Sequence, residues 1–141
     1  SILNHQIRYF QVGTSGLGYE ASSITQLQNP LLAGEYGNTP LGLDSHLNTD
    51  GSGGTVSQTF AVLDDESIIK ASSDSITFIL NLDTATANDE SLSEIGLFAS
   101  DPFGYSDSGA LKASLLCAYR YFGTITKSDS FSLTFRWTIE F

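Results

Sequence analysis

The chain has 141 residues, 40% of them hydrophobic, and a formal net charge of −10 from 16 acidic and 6 basic residues. One domain of that length can bury roughly 68–70% of its unfolded surface, so general disorder is excluded. The acidic balance excludes nucleic acid and anionic membranes as partners, because both require a basic surface. A lone cysteine, Cys117, excludes an internal disulfide. Set in the run Leu115-Leu116-Cys117-Ala118-Tyr119, it reads as a buried, inert thiol of a protein assembled in a reducing cytosol. No stretch approaches the ~18 apolar residues of a membrane span, and residues 1–6 have neither the basic nor the apolar region of a secretory leader.

Residues 2–12 form the first predicted strand, with Ile7, Tyr9 and Gln11 on one face and Arg8, Phe10 and Val12 on the other. Residues 13–54 break the pattern and hold most of the glycines. Ser23, with Gln26 three residues on, caps a short predicted helix that Pro30 stops. Residues 34–54 read as an extended arm ending in Gly51-Ser52-Gly53-Gly54, which either projects to dock on neighbours or folds over one end of the domain. Strands are predicted at 56–63, 67–71 and 75–82, with the acidic turn Asp64-Asp65-Glu66 after the first. In the third of these, Ile76, Phe78, Leu80 and Leu82 share the core face. Residues 94–100 put Ile95, Leu97 and Ala99 on one face and Phe98 on the other. Residues 111–122 are apolar on both faces and read as a central strand, or one covered by a neighbour.

Residues 131–141 alternate without a fault: Phe131, Leu133, Phe135, Trp137, Ile139 and Phe141 are separated by polar residues. That is a strand with one buried face, and the chain is expected to end on it. The turns at 71–74, 83–91, 101–109 and 123–130 are rich in Ser, Asp, Asn and Gly. The expected fold is all-β, an antiparallel β-sandwich of six to eight strands in a single domain over 1–141, with a long loop or arm at about 13–54 and one short helix.

Catalytic chemistry is absent from the pattern. A nucleophile needs a base and an orienting group, and neither His5 nor His46 is spaced to serve Cys117 or a serine. The chain is therefore expected not to be an enzyme and to carry no cofactor. The stretch His46-Leu47-Asn48-Thr49-Asp50-Gly51 imitates part of a calcium loop, but His46 replaces the first acid and Ser57 the closing glutamate. Asp64-Asp65-Glu66 and Asp89-Glu90 read as solvated turns rather than metal sites. Gly13-Thr14-Ser15-Gly16-Leu17-Gly18 lacks the spacing and the lysine of a phosphate loop. Tyr36 and Tyr105, in predicted loops, and Arg136, on the polar face of the last strand, are candidate assembly contacts. A structural salt bridge between Glu94 and Lys127 is within reach of the pattern but is not expected. Residues 50–107 carry eleven acids and one base, Lys70, whereas 108–141 carry four bases and two acids. Such asymmetry suits contacts between neighbouring copies.

Three stretches carry a likeness to known proteins. The first is the strand leading to Val12-Gly13-Thr14, followed by helix-like residues 24–32. The second is Ser93-Glu94-Ile95-Gly96-Leu97-Phe98-Ala99. The third runs over 119–141 through Ile125-Thr126-Lys127-Ser128-Asp129 to Trp137-Thr138-Ile139-Glu140-Phe141. In these the chain resembles the small β-structured virion proteins of tailed bacteriophages, found in tail, baseplate, collar and fibre-attachment modules. Residues 34–92 match nothing in that family. The resemblance implies a non-enzymatic building block of the virion, assembled in the host cytoplasm, whose partners are other virion proteins and its own copies in a trimer or hexamer. Two further readings remain: a capsid decoration protein on the head shell, and a carbohydrate- or receptor-binding module. Tyr105 with Asp101 and Asp107 is the candidate glycan contact of the latter.

Overall fold

In a computed structural model of the chain, the described residues are 6–15, 27–37, 42–49, 55–100 and 114–140. The alternating segments form strands β1 (Gln6–Gly13), β2 (Leu43–Thr49), β3 (Thr55–Val62), β4 (Ile68–Ser72), β5 (Ser75–Leu82), β6 (Ser91–Ser100), β7 (Ser114–Thr126) and β8 (Leu133–Glu140). A one-turn helix, α1 (Ala33–Tyr36), precedes β2, and a 3-10 turn (Asp65–Ser67) links β3 to β4. All pairings are antiparallel. They build a five-stranded sheet in the order β2-β3-β1-β6-β7 and a three-stranded sheet in the order β4-β5-β8. The expected all-β, sandwich-like architecture is what the chain adopts.

The main core lies between the sheets. Phe10, Val12, Ala61, Ile95 and Leu97 from the larger sheet meet Phe78, Leu80 and Leu82 of β5. On β5 the predicted face is the buried one, with Phe78, Leu80 and Leu82 at 3%, 0% and 0% exposure. A second cluster covers the other face of the larger sheet, where Tyr9, Phe60, Phe98 and Tyr119 pack with Leu27. Phe60 is edge-on to Phe98 at 5.0 Å between ring centroids and tilted against Tyr9 at 5.8 Å. This explains the mixed pattern of β1: it is central in its sheet and buried on both faces.

Several expectations are corrected. Residues 27–32 contain no helix; the helical turn falls at Ala33–Tyr36, beyond Pro30, while Ser23 and Gln26 lie outside the described residues. Of the two readings of 13–54, the described residues 27–37 follow the one in which the chain folds against the domain. Leu27, Leu31 and Tyr36 are buried in the two clusters, and β2 is hydrogen-bonded along β3 from Leu43↔Ala61 to Thr49↔Thr55. The strand β7 is an edge strand rather than a central one. Its pairing with β6 jumps from Leu97↔Ala118 to Phe98↔Leu116, which leaves Cys117 as the extra residue of a bulge. Cys117 is consequently exposed instead of buried, although partial desolvation still raises its thiol pKa. In β8 the odd-numbered face is only half-buried, because β8 too is an edge.

Because Leu80 is fully enclosed whereas Leu32 is 60% exposed, Leu80→Ala is expected to lower unfolding free energy by about 2–5 kcal/mol through lost burial and a residual cavity. Leu32→Ala is expected to stay within about 0.5 kcal/mol. Urea titrations of the two variants followed by far-ultraviolet circular dichroism measure both.

Candidate functional site

Between Leu92 and Ala99, strand β6 is buried throughout, and Glu94 interrupts its run with a carboxylate that is 0% exposed. Its Oε1 accepts the Gln28 N–H at 2.8 Å and the Tyr119 hydroxyl at 2.9 Å; its Oε2 accepts the Asn29 N–H at 2.7 Å. Main-chain and hydroxyl donors thus satisfy the carboxylate where a cation was the alternative. The segment that donates is itself laid along the end of β1. Thr14 N–H donates to Asn29 O at 3.1 Å, Leu31 N–H donates to Val12 O at 3.0 Å, and Asn29 Nδ2 donates to Thr14 Oγ1 at 2.8 Å.

Two glycines make room for this arrangement. Gly13 stands opposite Glu94 in the β1–β6 register, and a Cβ there would collide with Glu94 Oε2 and Asn29 O. A Cβ on Gly96 would come within 2.7 Å of Leu27 Cδ1 and 2.9 Å of Leu116 Cδ1. The stretch Glu94-Ile95-Gly96-Leu97-Phe98 therefore has a role at each position. Glu94 holds the loop, Ile95 and Leu97 fill the inter-sheet core, Gly96 admits Leu27, and Phe98 joins the aromatic cluster. Enclosed and held by three donors, Glu94 anchors the 28–29 segment and Tyr119.

Lys127 does not pair with Glu94. Fully buried, its Nζ donates to Asn88 Oδ1 at 3.0 Å and Ser128 O at 2.8 Å and lies 5.4 Å from the centre of the Phe131 ring. Its main chain joins the same turn, through Lys127 N–H to Glu90 O and Asp89 N–H to Lys127 O. Desolvation lowers its pKa, with Asp83 and Asp129 partly opposing the effect.

Among the described residues, a cleft of about 470 Å³ lies between β7 and β8, the edge strands of their two sheets. Phe122, Ile125, Phe135 and Trp137 form its apolar walls over Ile95, and Arg120, Tyr121 and Arg136 border it. Arg120 is opposite Ile95 in the β6–β7 register, so it stands on the face turned towards the second sheet. Phe122 and Phe135 touch across the cleft at 5.5 Å between ring centroids.

Of the sequence-derived contacts, Arg136 is exposed and borders this cleft. Tyr36 is corrected: it is 0% exposed, its hydroxyl accepts the Val12 N–H at 3.2 Å, and burial pushes its pKa strongly upward. The apolar environment of the core, met through Leu31 and α1, takes this ring in although its neighbours in sequence are polar and glycine. Tyr105, Asp101 and Asp107 lie outside the described residues. His46 lies in β2 opposite Gln58, so the calcium-like stretch begins as an extended strand. Among the described residues, no group of three acidic, histidine or cysteine side chains is arranged to hold a metal, and no helix is long and apolar enough to cross a membrane. Sequence reasoning missed Arg120 and the Gln28, Asn29 and Tyr119 donors. The signal for the donors was a glutamate inside an otherwise buried strand, which requires partners from elsewhere in the chain.

In comparison with known proteins, no family model matches the chain, and no curated protein or solved structure matches it.

Replacing one carboxylate oxygen by an amide leaves an N–H facing a donor, so Glu94→Gln is expected to cost about 1–3 kcal/mol, and Tyr119→Phe about 1 kcal/mol. Because both act on one network, the double variant should cost less than the sum by at least ~0.5 kcal/mol in urea unfolding. Additive losses would show that the two side chains do not share the bond.

Alkaline pH gives a separate check. Tyr36 and Tyr119 have pKa values raised above the ordinary 10.0, first by burial, and for Tyr119 also by Glu94. A raised pKa contributes stability that is complete below the unfolded value and disappears above it. Lys127, with a lowered pKa, acts in the opposite sense: the stability it withholds returns as pH rises through its folded value, fully by 10.5. Above pH 10 the tyrosines dominate. The urea midpoint should therefore fall steeply there, with two tyrosines ionising only as the fold is lost, and Tyr119→Phe should reduce the fall.

Proposed function

We propose that the chain is a non-enzymatic assembly module of a tailed-phage virion, working in the tail, baseplate, collar or fibre attachment. The observation that supports this reading is the convergence on Glu94. The three stretches that carry the resemblance are distant in sequence, yet Gly13, residues 28–29, Glu94 and Tyr119 meet at one carboxylate. On this reading, the stretches that carry the resemblance form the internal frame of the β-sandwich and leave its surfaces for contacts with other parts. The edge strands β7 and β8, with an apolar cleft between them, are suited to contact with a neighbouring subunit.

The test is gold-labelled antibody raised against the purified chain, applied to particles released by cells that carry its gene and viewed by electron microscopy. Label confined to the tail, neck or baseplate is the expected result. Label spread over the head would replace this reading by the capsid decoration reading. Unlabelled particles, when a known virion protein is labelled in parallel, would overturn a virion role altogether.

A further inference from the structure

We propose that the cleft between β7 and β8 receives the Asp64-Asp65-Glu66 turn of a second copy of this chain, so that copies join head to tail. The inference rests on the assembly reading above and names the contact that would perform it.

The cleft presents the exposed cations of its two strands. In an acidic chain with six basic residues, Arg120 and Arg136 both border one apolar recess, and Lys127 between them is withdrawn into its own turn. The occupant should therefore bring carboxylates together with some apolar surface. The β3–β4 link has both. Asp64, Asp65 and Glu66 are all exposed, and Ile69, three residues on, is 44% exposed. Asp64 uses a carboxylate oxygen to accept the Ser67 N–H at 2.9 Å, which fixes the turn and leaves Asp65 and Glu66 facing outward.

Topology decides that the contact is between copies. The cross-strand row Ile68–Phe78–Trp137 runs from β4 through β5 to β8. The acidic turn thus lies at one edge of the three-stranded sheet and the cleft at the other, about 10 Å apart at the usual strand spacing, with β5 between. A turn on one edge cannot fold round into the recess at the opposite edge of its own sheet. Two different, complementary surfaces on one subunit make a heterologous interface, which closes into a ring or grows as a filament and cannot form a two-fold dimer through one pair of surfaces. Strand-to-strand joining is disfavoured on both sides: Lys70 lies on β4 and Arg120 on the inward face of β7, and charges at such edges oppose pairing. Side-chain docking into the recess remains.

The experiment uses the full chain, with mass followed by light scattering and sedimentation as a function of concentration and salt. The wild type should associate, and more weakly as salt is raised. Arg120→Glu with Arg136→Glu, and separately Asp65→Lys with Glu66→Lys, should each raise the dissociation constant by about 100-fold or more, because like charges then meet. Mixing the two double variants restores opposite charges at every contact, so association should return; an unfolded variant could not be rescued in this way. Variants that keep the wild-type mass would overturn the proposed contact while leaving the virion role intact. A wild type that remains monomeric at all concentrations would overturn the self-docking proposal. Loss of particle label in the antibody experiment is a separate outcome and bears on the virion role alone.

Discussion

The fold turns on a buried carboxylate that, among the described residues, is held by hydrogen-bond donors with no cation beside it. Taking an ionised group out of water costs several kcal/mol unless hydrogen bonds replace the solvent. Glu94 meets that cost with two main-chain amides and a tyrosine hydroxyl. Because the amides belong to Gln28 and Asn29, satisfying the charge and folding the 27–31 segment are one event. Leu27 then enters the aromatic cluster and Leu31 the inter-sheet core, so a single polar contact delivers apolar side chains to both faces of the larger sheet. Gly13 and Gly96 follow from the same geometry: either as alanine would need space already held by the carboxylate, Asn29 or Leu27.

Lys127 solves the opposite problem on its own. A buried ammonium needs acceptors, and it finds Asn88, a main-chain carbonyl and the face of Phe131 within one pair of adjoining turns. Among the described residues, the buried Glu94 and Lys127 are hydrogen-bonded to neutral groups rather than to one another. Each therefore fixes a different loop: one the 27–31 segment beside β1, the other the 86–90 turn against the start of the β8 approach. The isolated bridge of Gly37 with Thr86, and the bond from Ala87 N–H to Tyr36 O, tie that second turn back to α1.

The period-two stretches were legible because alternation is a local property. For β5 it identified the strand limits, 75–82, and the buried face. For β7 the same reading failed. Apolar residues on both faces suggested a central strand, or one covered by a neighbour, but the strand is an edge whose bulge turns Cys117 outward, while Phe122, in phase with the inward-facing Arg120, meets Phe135 of β8. A bulge is fixed by the partner strand, which a single segment does not reveal. Tyr36 was misread for a related reason. Its neighbours are glycines and polar residues, the composition of an exposed loop, whereas its burial depends on Val12 and the 86–87 turn, distant in sequence. For the candidate site, Arg136 was visible from the polar phase of the last strand, while Arg120 became relevant only when β7 and β8 were found side by side in different sheets.

That juxtaposition gives the molecule its asymmetry. At the centre, β1 and β6 are covered on both faces and pinned by Glu94; at the open side, β8 leaves its whole apolar face only half-buried. Half-burial of Phe135, Trp137 and Ile139 forgoes part of the ~25 cal/mol per Å² that full enclosure would contribute. An apolar residue at position 120 would add to the buried area on this side. An arginine there, directed inward and opposite Ile95, keeps the cleft open and positively charged in a strongly acidic protein. The least enclosed sheet edge is thus the one that carries both the half-buried apolar area and the positive charge, the two features on which the proposed docking of an acidic turn depends.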